Sequence, residues 1–134
     1  MPNITIKRPV IIKIKVTEKF KSETIEQIEK ALERVNLEIE QIEFQEKRIS
    51  YNAEKQLKQR YLNLRQQMEE EKKKRLELKT KLLEKIEEVK KWEIGLEVIE
   101  GTMESLVEVK EGDDWDRIMK SEIIIEDGKV IEIK

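Results

Sequence analysis

No glycine or proline occurs between Pro9 and Gly95. Either residue costs about 1–3 kcal/mol inside a helix, so their absence over such a stretch predicts helix. Apolar residues within it fall into register. Ile25, Ile28, Leu32, Val35, Ile39, Ile42 and Ile49 step by three, four and finally seven, the spacing of a coiled-coil seam. A second seam runs through Leu57, Tyr61, Leu64 and Met68, then Leu78, Leu82, Val89 and Trp92, with polar Glu71 and Arg75 between its halves. Charged residues make up 43% of the chain and apolar residues 37%. Unpatterned, that composition would suit disorder; patterned in heptads, it suits long solvated helices.

Both ends of the chain use a different grammar. In VIIKIKV, Val10, Ile12, Ile14 and Val16 alternate with Lys13 and Lys15, as in a half-buried strand. Ile4 and Ile6 extend the alternation across Pro9, which suits a bulge or an edge. Thr17 is the expected N-cap of the first helix, with Ser22 as the rival one turn later. Gly95 is the expected C′ residue of the last long helix. Beyond it, LEVIE, TMESLVEVK, EIIIE and KVIEIK read as four strands punctuated by Gly101, Gly112 and Gly128. Asp127-Gly128 is a type I′ hairpin signal, and DDWDRIM reads as one helical turn capped by aspartate. A tail of this size is marginal as a β domain alone. Adding strand 10–16 gives a five-strand sheet or small barrel built from both ends of the chain.

That closure constrains the middle. An unbroken helix over 18–91 would be about 110 Å long and would hold the two ends apart. A reversal near 50–54 brings them together, and Ser50-Tyr51-Asn52 supplies turn chemistry there. Residues 23–50 carry eight acidic and four basic side chains; residues 51–91 carry thirteen basic and eight acidic. Antiparallel packing therefore sets acid beside base. A domain-swapped rod makes the same contacts between two chains and stays open. The expected fold class is α+β: a long antiparallel coiled-coil hairpin, or its swapped equivalent, with a small, mostly antiparallel β head. The expected boundaries are 1–16 for the N-terminal strand, 17–94 for the hairpin and 95–134 for the rest of the head. A lone two-helix hairpin buries little surface, so a homo-oligomer, a dimer, is expected.

Cysteine and histidine are both missing from the sequence. Their lack removes thiolate chemistry, the commonest general base and the commonest transition-metal ligands. No phosphate-binding glycine loop, nucleophile elbow or HExxH occurs. The expectation is a protein without catalytic residues, cofactor or metal. Asp113, Asp114 and Asp116 lack the spacing of a calcium loop and read as a turn followed by a cap. Trp92 and Trp115 read as core anchors rather than stacking platforms. The N-terminal apolar run contains two lysines, unlike a signal sequence or membrane span, and a cytoplasmic protein is expected.

Two basic groups are candidates for nucleic-acid contact, since Lys and Arg neutralise phosphates. One is Lys72, Lys73, Lys74 and Arg75, with Arg60 and Arg65 nearby; the other is Lys7, Arg8, Lys13 and Lys15. A solvated charged face is the plainer reading of the first, because Glu69, Glu70 and Glu71 abut it.

VTEKFK (16–21), FQEKR (44–48), GLEVIEGTMESLVEVKEGDDWDRIM (95–119) and EIIIEDGKVIEIK (122–134) resemble the YlqD family of bacterial proteins. The resemblance spans nearly the whole chain. It implies a cytoplasmic protein encoded among genes for ribosomal and RNA-binding proteins. It supplies no functional residues to transfer. The function expected from patches and resemblance together is a non-enzymatic coiled-coil protein associated with RNA or the ribosome. The alternative is a protein-binding scaffold or chaperone-like clamp without nucleic-acid contact.

Overall fold

The computed structural model describes residues 2–51 and 58–134. Its elements, in chain order, are β1 (Asn3–Lys15), α1 (Glu18–Tyr51), α2 (Lys58–Lys90), β2 (Glu97–Lys110), α3 (Trp115–Met119), β3 (Ser121–Glu126) and β4 (Lys129–Ile133). They form two compact units. One comprises residues 1–22 and 92–134; the other comprises residues 23–91.

The second unit is an antiparallel helical hairpin whose two arms belong to one chain. Ile28, Val35, Ile39 and Ile42 of α1 are buried, as are Ile86 and Val89 of α2. The α1 seam matches its heptads. The α2 seam departs from the expected one. Leu78 is 45% exposed, while Ile86, which the expected seam omits, is 6% exposed. The half-buried positions run Tyr61, Leu64, Met68, Lys72, Arg75, Lys79 and Leu82. The step from 68 to 72 is four residues and follows another step of four, a stutter that rotates the seam. The mid-seam positions are thus cationic, and acidic residues of α1 meet them. Arg75 Nε lies 3.3 Å from Glu38 Oε2, and Lys72 Nζ lies 3.5 Å and 3.6 Å from carboxylate oxygens of Glu43 and Glu46. Each such half-exposed pair contributes under about 1 kcal/mol. Together they oppose parallel or slipped pairing, in which like charges would meet. Ser50 and Tyr51 are still helical. The remainder of the turn expected near 50–54 lies outside the described residues.

The first unit is an open four-stranded mixed sheet with order β2-β1-β3-β4. β1 pairs antiparallel with β2 and parallel with β3; β3 and β4 form an antiparallel hairpin. The sheet has four strands rather than five because LEVIE and TMESLVEVK are one strand. Gly101 does not break it. Ile12 pairs with Gly101 and Lys13 with Ile99, so Glu100 is the extra residue of a bulge. Pro9 lies within β1, opposite Glu104 of β2, where pairing with β3 has not yet begun. Its missing N–H therefore costs the β3 ladder nothing. Gly95 is not the C′ residue of α2, which ends at Lys90. It sits at φ +94° in a separate turn closed by Leu96 N–H donating to the Glu93 carbonyl at 3.1 Å. Asp127 and Gly128 have φ of 47° and 80°, the two left-handed positions of the expected I′ turn.

Residues at the start of α1 are tied to this unit. Thr17 Oγ1 accepts from Phe20 N–H at 3.1 Å, so Thr17, not Ser22, is the N-cap. The same hydroxyl donates to Asp127 Oδ1 at 2.7 Å. Phe20 and Trp92 stack with centroids 6.0 Å apart, and Lys21 Nζ donates to the Trp92 carbonyl at 2.9 Å. Trp92 is thus an anchor as expected. Trp115, expected in the core, is 56% exposed. It is the first residue of a single helical turn, too short to carry its ring beneath a second layer.

Candidate nucleic-acid interface

Neither basic group survives folding as a continuous patch. A helix turns about 100° per residue, so four consecutive cations point around the helix. Lys72 and Arg75 fall on the seam and are held by Glu38, Glu43 and Glu46. Lys73 and Lys74 are exposed. Strand alternation splits the N-terminal group in the same way. Arg8 shares the face of Val10, whereas Lys7, Lys13 and Lys15 share the other. Arg8 Nε donates to Ser105 Oγ and its Nη1 to the Ile118 carbonyl, both at 3.1 Å, fastening α3 to the sheet. Lys13 Nζ is 3.0 Å from Glu122 Oε1. Lys15 lies opposite Glu97, and Glu104 and Glu108 interleave with the remaining lysine on that face.

The antiparallel hairpin instead gathers cations that are apart in sequence. The C-terminal end of α1 and the N-terminal end of α2 meet at its distal end. Lys47 and Arg48 come from α1; Lys58, Arg60 and Arg65 come from α2. All five are exposed. Among the described residues, positions 47–51 and 58–68 contain no acidic side chain. Lys47, Arg48, Lys58 and Arg60 form no ion pair among the described residues. Arg65 Nε lies 3.4 Å from Glu69 Oε1 on the exposed helix surface. Tyr61 and, after it, Glu69 raise its pKa further, so it stays cationic at any working pH.

Beside these cations lies a cleft of about 320 Å³. Its apolar lining includes Ile49, Tyr61 and Met68; Arg65, Lys72 and Lys73 line it with positive charge, and Glu46 and Glu69, which pair with Lys72 and Arg65, with negative charge. Phosphates suit the cations, and among the described residues the ring of Tyr61 offers an aromatic surface in the cleft. Sequence reading found Arg60 and Arg65 but missed Lys47, Arg48 and Lys58. The signal was available: the two segments flanking an expected reversal are both basic, and the reversal sums them.

The acidic group has a structural placement. Asp113 Oδ2 accepts from Lys110 N–H at 3.0 Å, and Asp114 Oδ1 caps α3 by accepting from Arg117 N–H at 3.4 Å. No cluster able to hold a metal occurs among the described residues, and no described helix is long and apolar enough to cross a membrane.

The molecule is an α+β protein in which a coiled-coil hairpin is inserted between the first two strands of a mixed sheet. The profile of the YlqD family, described as YlqD protein, matches residues 4–134. The chain belongs to the YlqD family. A crystal structure of a protein of unknown function from Synechococcus sp. WH 8102 has a similar fold, with a TM-score of 0.79 at 25% identity. The likeness covers 99% of this chain and 95% of that one. No curated protein matches the chain significantly.

Proposed function

We propose that this is a non-enzymatic, cytoplasmic nucleic-acid-binding protein, of the RNA- or ribosome-associated kind, that grips phosphates with the distal end of its hairpin. The observation that carries this reading is the set Lys47, Arg48, Lys58, Arg60 and Arg65, five exposed cations flanked among the described residues by Glu46 on α1 and Glu69 on α2, with no acidic residue at positions 47–51 or 58–68. Elsewhere in the hairpin, cations and carboxylates alternate or pair. A chain of net charge −2 has no general attraction for phosphate, so local concentration of positive charge is what would draw a polyanion. Helix-borne arginines also suit phosphate through their forked donors. The cleft beside them would admit an unstacked base, which favours single-stranded segments.

A salt titration of binding to a fluorescently labelled single-stranded RNA tests the proposal. Affinity should be measurable at low salt and should fall linearly on a log–log plot as salt rises. No binding at low salt, or binding without a salt slope, overturns it.

A further inference from the structure

The cleft near the distal end of the hairpin has a more specific chemistry than its cations alone. Ile49 of α1 and Tyr61, Met68 and Leu76 of α2 give it apolar walls. Glu46 and Glu69 also line it, but their carboxylates lie 3.6 Å from Lys72 Nζ and 3.4 Å from Arg65 Nε. Lys73 is therefore the surplus charge of the lining. Tyr61 is half-buried, and Arg65 Nη1 donates to its Oη at 3.5 Å. A ring and a cation thus stand one helical turn apart on the same side of α2. The volume of about 320 Å³ lies at the lower end of the range for small-ligand pockets, roughly 300–1,000 Å³. That is room for one ring system and not for a duplex. A ligand that fits is flat, apolar on its faces and anionic at one end, which describes a nucleotide.

We infer that Tyr61 is a base-stacking residue, and that its cleft makes the end of the hairpin select single-stranded over double-stranded nucleic acid. The inference rests on the phosphate-binding reading above and adds to it a contact that depends on the ring. Charge alone predicts the opposite preference. A duplex carries one phosphate for about every 1.7 Å of its axis, against about 3.4 Å per strand. A site made only of lysine and arginine would hold the duplex at least as tightly. In a duplex, however, the faces of the bases are covered by one another. A single strand can splay a base out and lay its face on an aromatic side chain, while its phosphates stay with the cations. Every base has such a face, so the site selects strandedness rather than sequence.

The test is binding of the full chain to a labelled single-stranded RNA and to the same RNA annealed to its complement, across a range of salt. Wild type should prefer the single strand. Tyr61→Phe keeps the ring and should stay within about threefold of wild type. Tyr61→Leu keeps an apolar side chain but no ring. It should weaken single-strand binding about tenfold or more, with duplex binding and the log–log salt slope unchanged. Its circular dichroism should match wild type, and the wild-type preference itself needs no variant to fold. A wild type that binds duplex as tightly as single strand overturns the inference. So does a Tyr61→Leu chain that binds single strand as tightly as wild type, or one that loses duplex binding equally. Salt-dependent binding indifferent to the ring overturns this inference alone; no salt-dependent binding of either RNA overturns the phosphate-binding reading together with it.

Discussion

Thr17 serves two structures with one hydroxyl. It ends the approach from β1 by capping α1, and it reaches Asp127 in the β3–β4 turn. The side chains are separated by 110 positions in sequence, so the contact draws the two termini of the chain into one unit. Asp127 suits the role because it tolerates a positive φ, here 47°, that most side chains resist. Replacing Thr17 by alanine removes both bonds and should cost about 1–2 kcal/mol. Thr17→Ser keeps the hydroxyl and should cost less than half as much. Urea denaturation of the two variants checks this; equal losses would assign the effect to the methyl group instead. Gly128→Ala places a Cβ at φ +80° and should lower stability by about 1 kcal/mol, measurable the same way.

At the scale of elements, the hairpin is held by a seam that changes character along its length. Apolar pairs occupy both ends of α2, and cation–carboxylate pairs fill the middle. Ile86→Ala should therefore destabilise the protein by about 2–4 kcal/mol, whereas Leu78→Ala, at an exposed site, should cost under about 1 kcal/mol. The expected seam predicts the opposite order, so thermal denaturation of the pair decides the register. Lys72→Gln and Arg75→Gln should each cost less than about 1 kcal/mol. These cases show what was legible beforehand. Heptads of branched residues in α1 could be read directly, because from Ile25 to Ile42 every seam position is apolar; only Glu46, which pairs with Lys72, interrupts the seam before Ile49. The α2 register could not, since its central positions are Lys72, Arg75 and Lys79, and a polarity count skips them. The β head followed a similar rule. Asp127-Gly128 specifies its turn by local backbone geometry. Gly101 was misread because a glycine marks a bulge as readily as a strand end, and only the pairing partner distinguishes them. The basic end was partly hidden for a third reason. Runs such as Lys72–Arg75 stand out in sequence but disperse on a helix, while Arg48 and Arg60 are brought to one end only by the chain reversal.

For the whole molecule, the sheet joins the two ends of the chain in one unit, and the hairpin carries the proposed phosphate-binding end. Within the sheet, β2 is a long edge strand, and Glu97, Glu100, Glu104 and Glu108 along it oppose further strand addition. Growth through that edge is therefore disfavoured.

The central claim is that the distal end of the hairpin makes the phosphate contacts. The direct measurement is the salt dependence of RNA affinity for wild type, for an Arg48→Gln/Lys58→Gln/Arg60→Gln chain, and for a Lys7→Gln/Lys74→Gln/Lys81→Gln chain, whose three lysines are exposed and lie outside the cleft. Each phosphate contact contributes about 0.7 to the log–log slope for single strands. The first triple variant should therefore lose about 2 units of slope, while the second keeps the wild-type slope. Equal slopes for wild type and the Arg48/Lys58/Arg60 variant would contradict the claim.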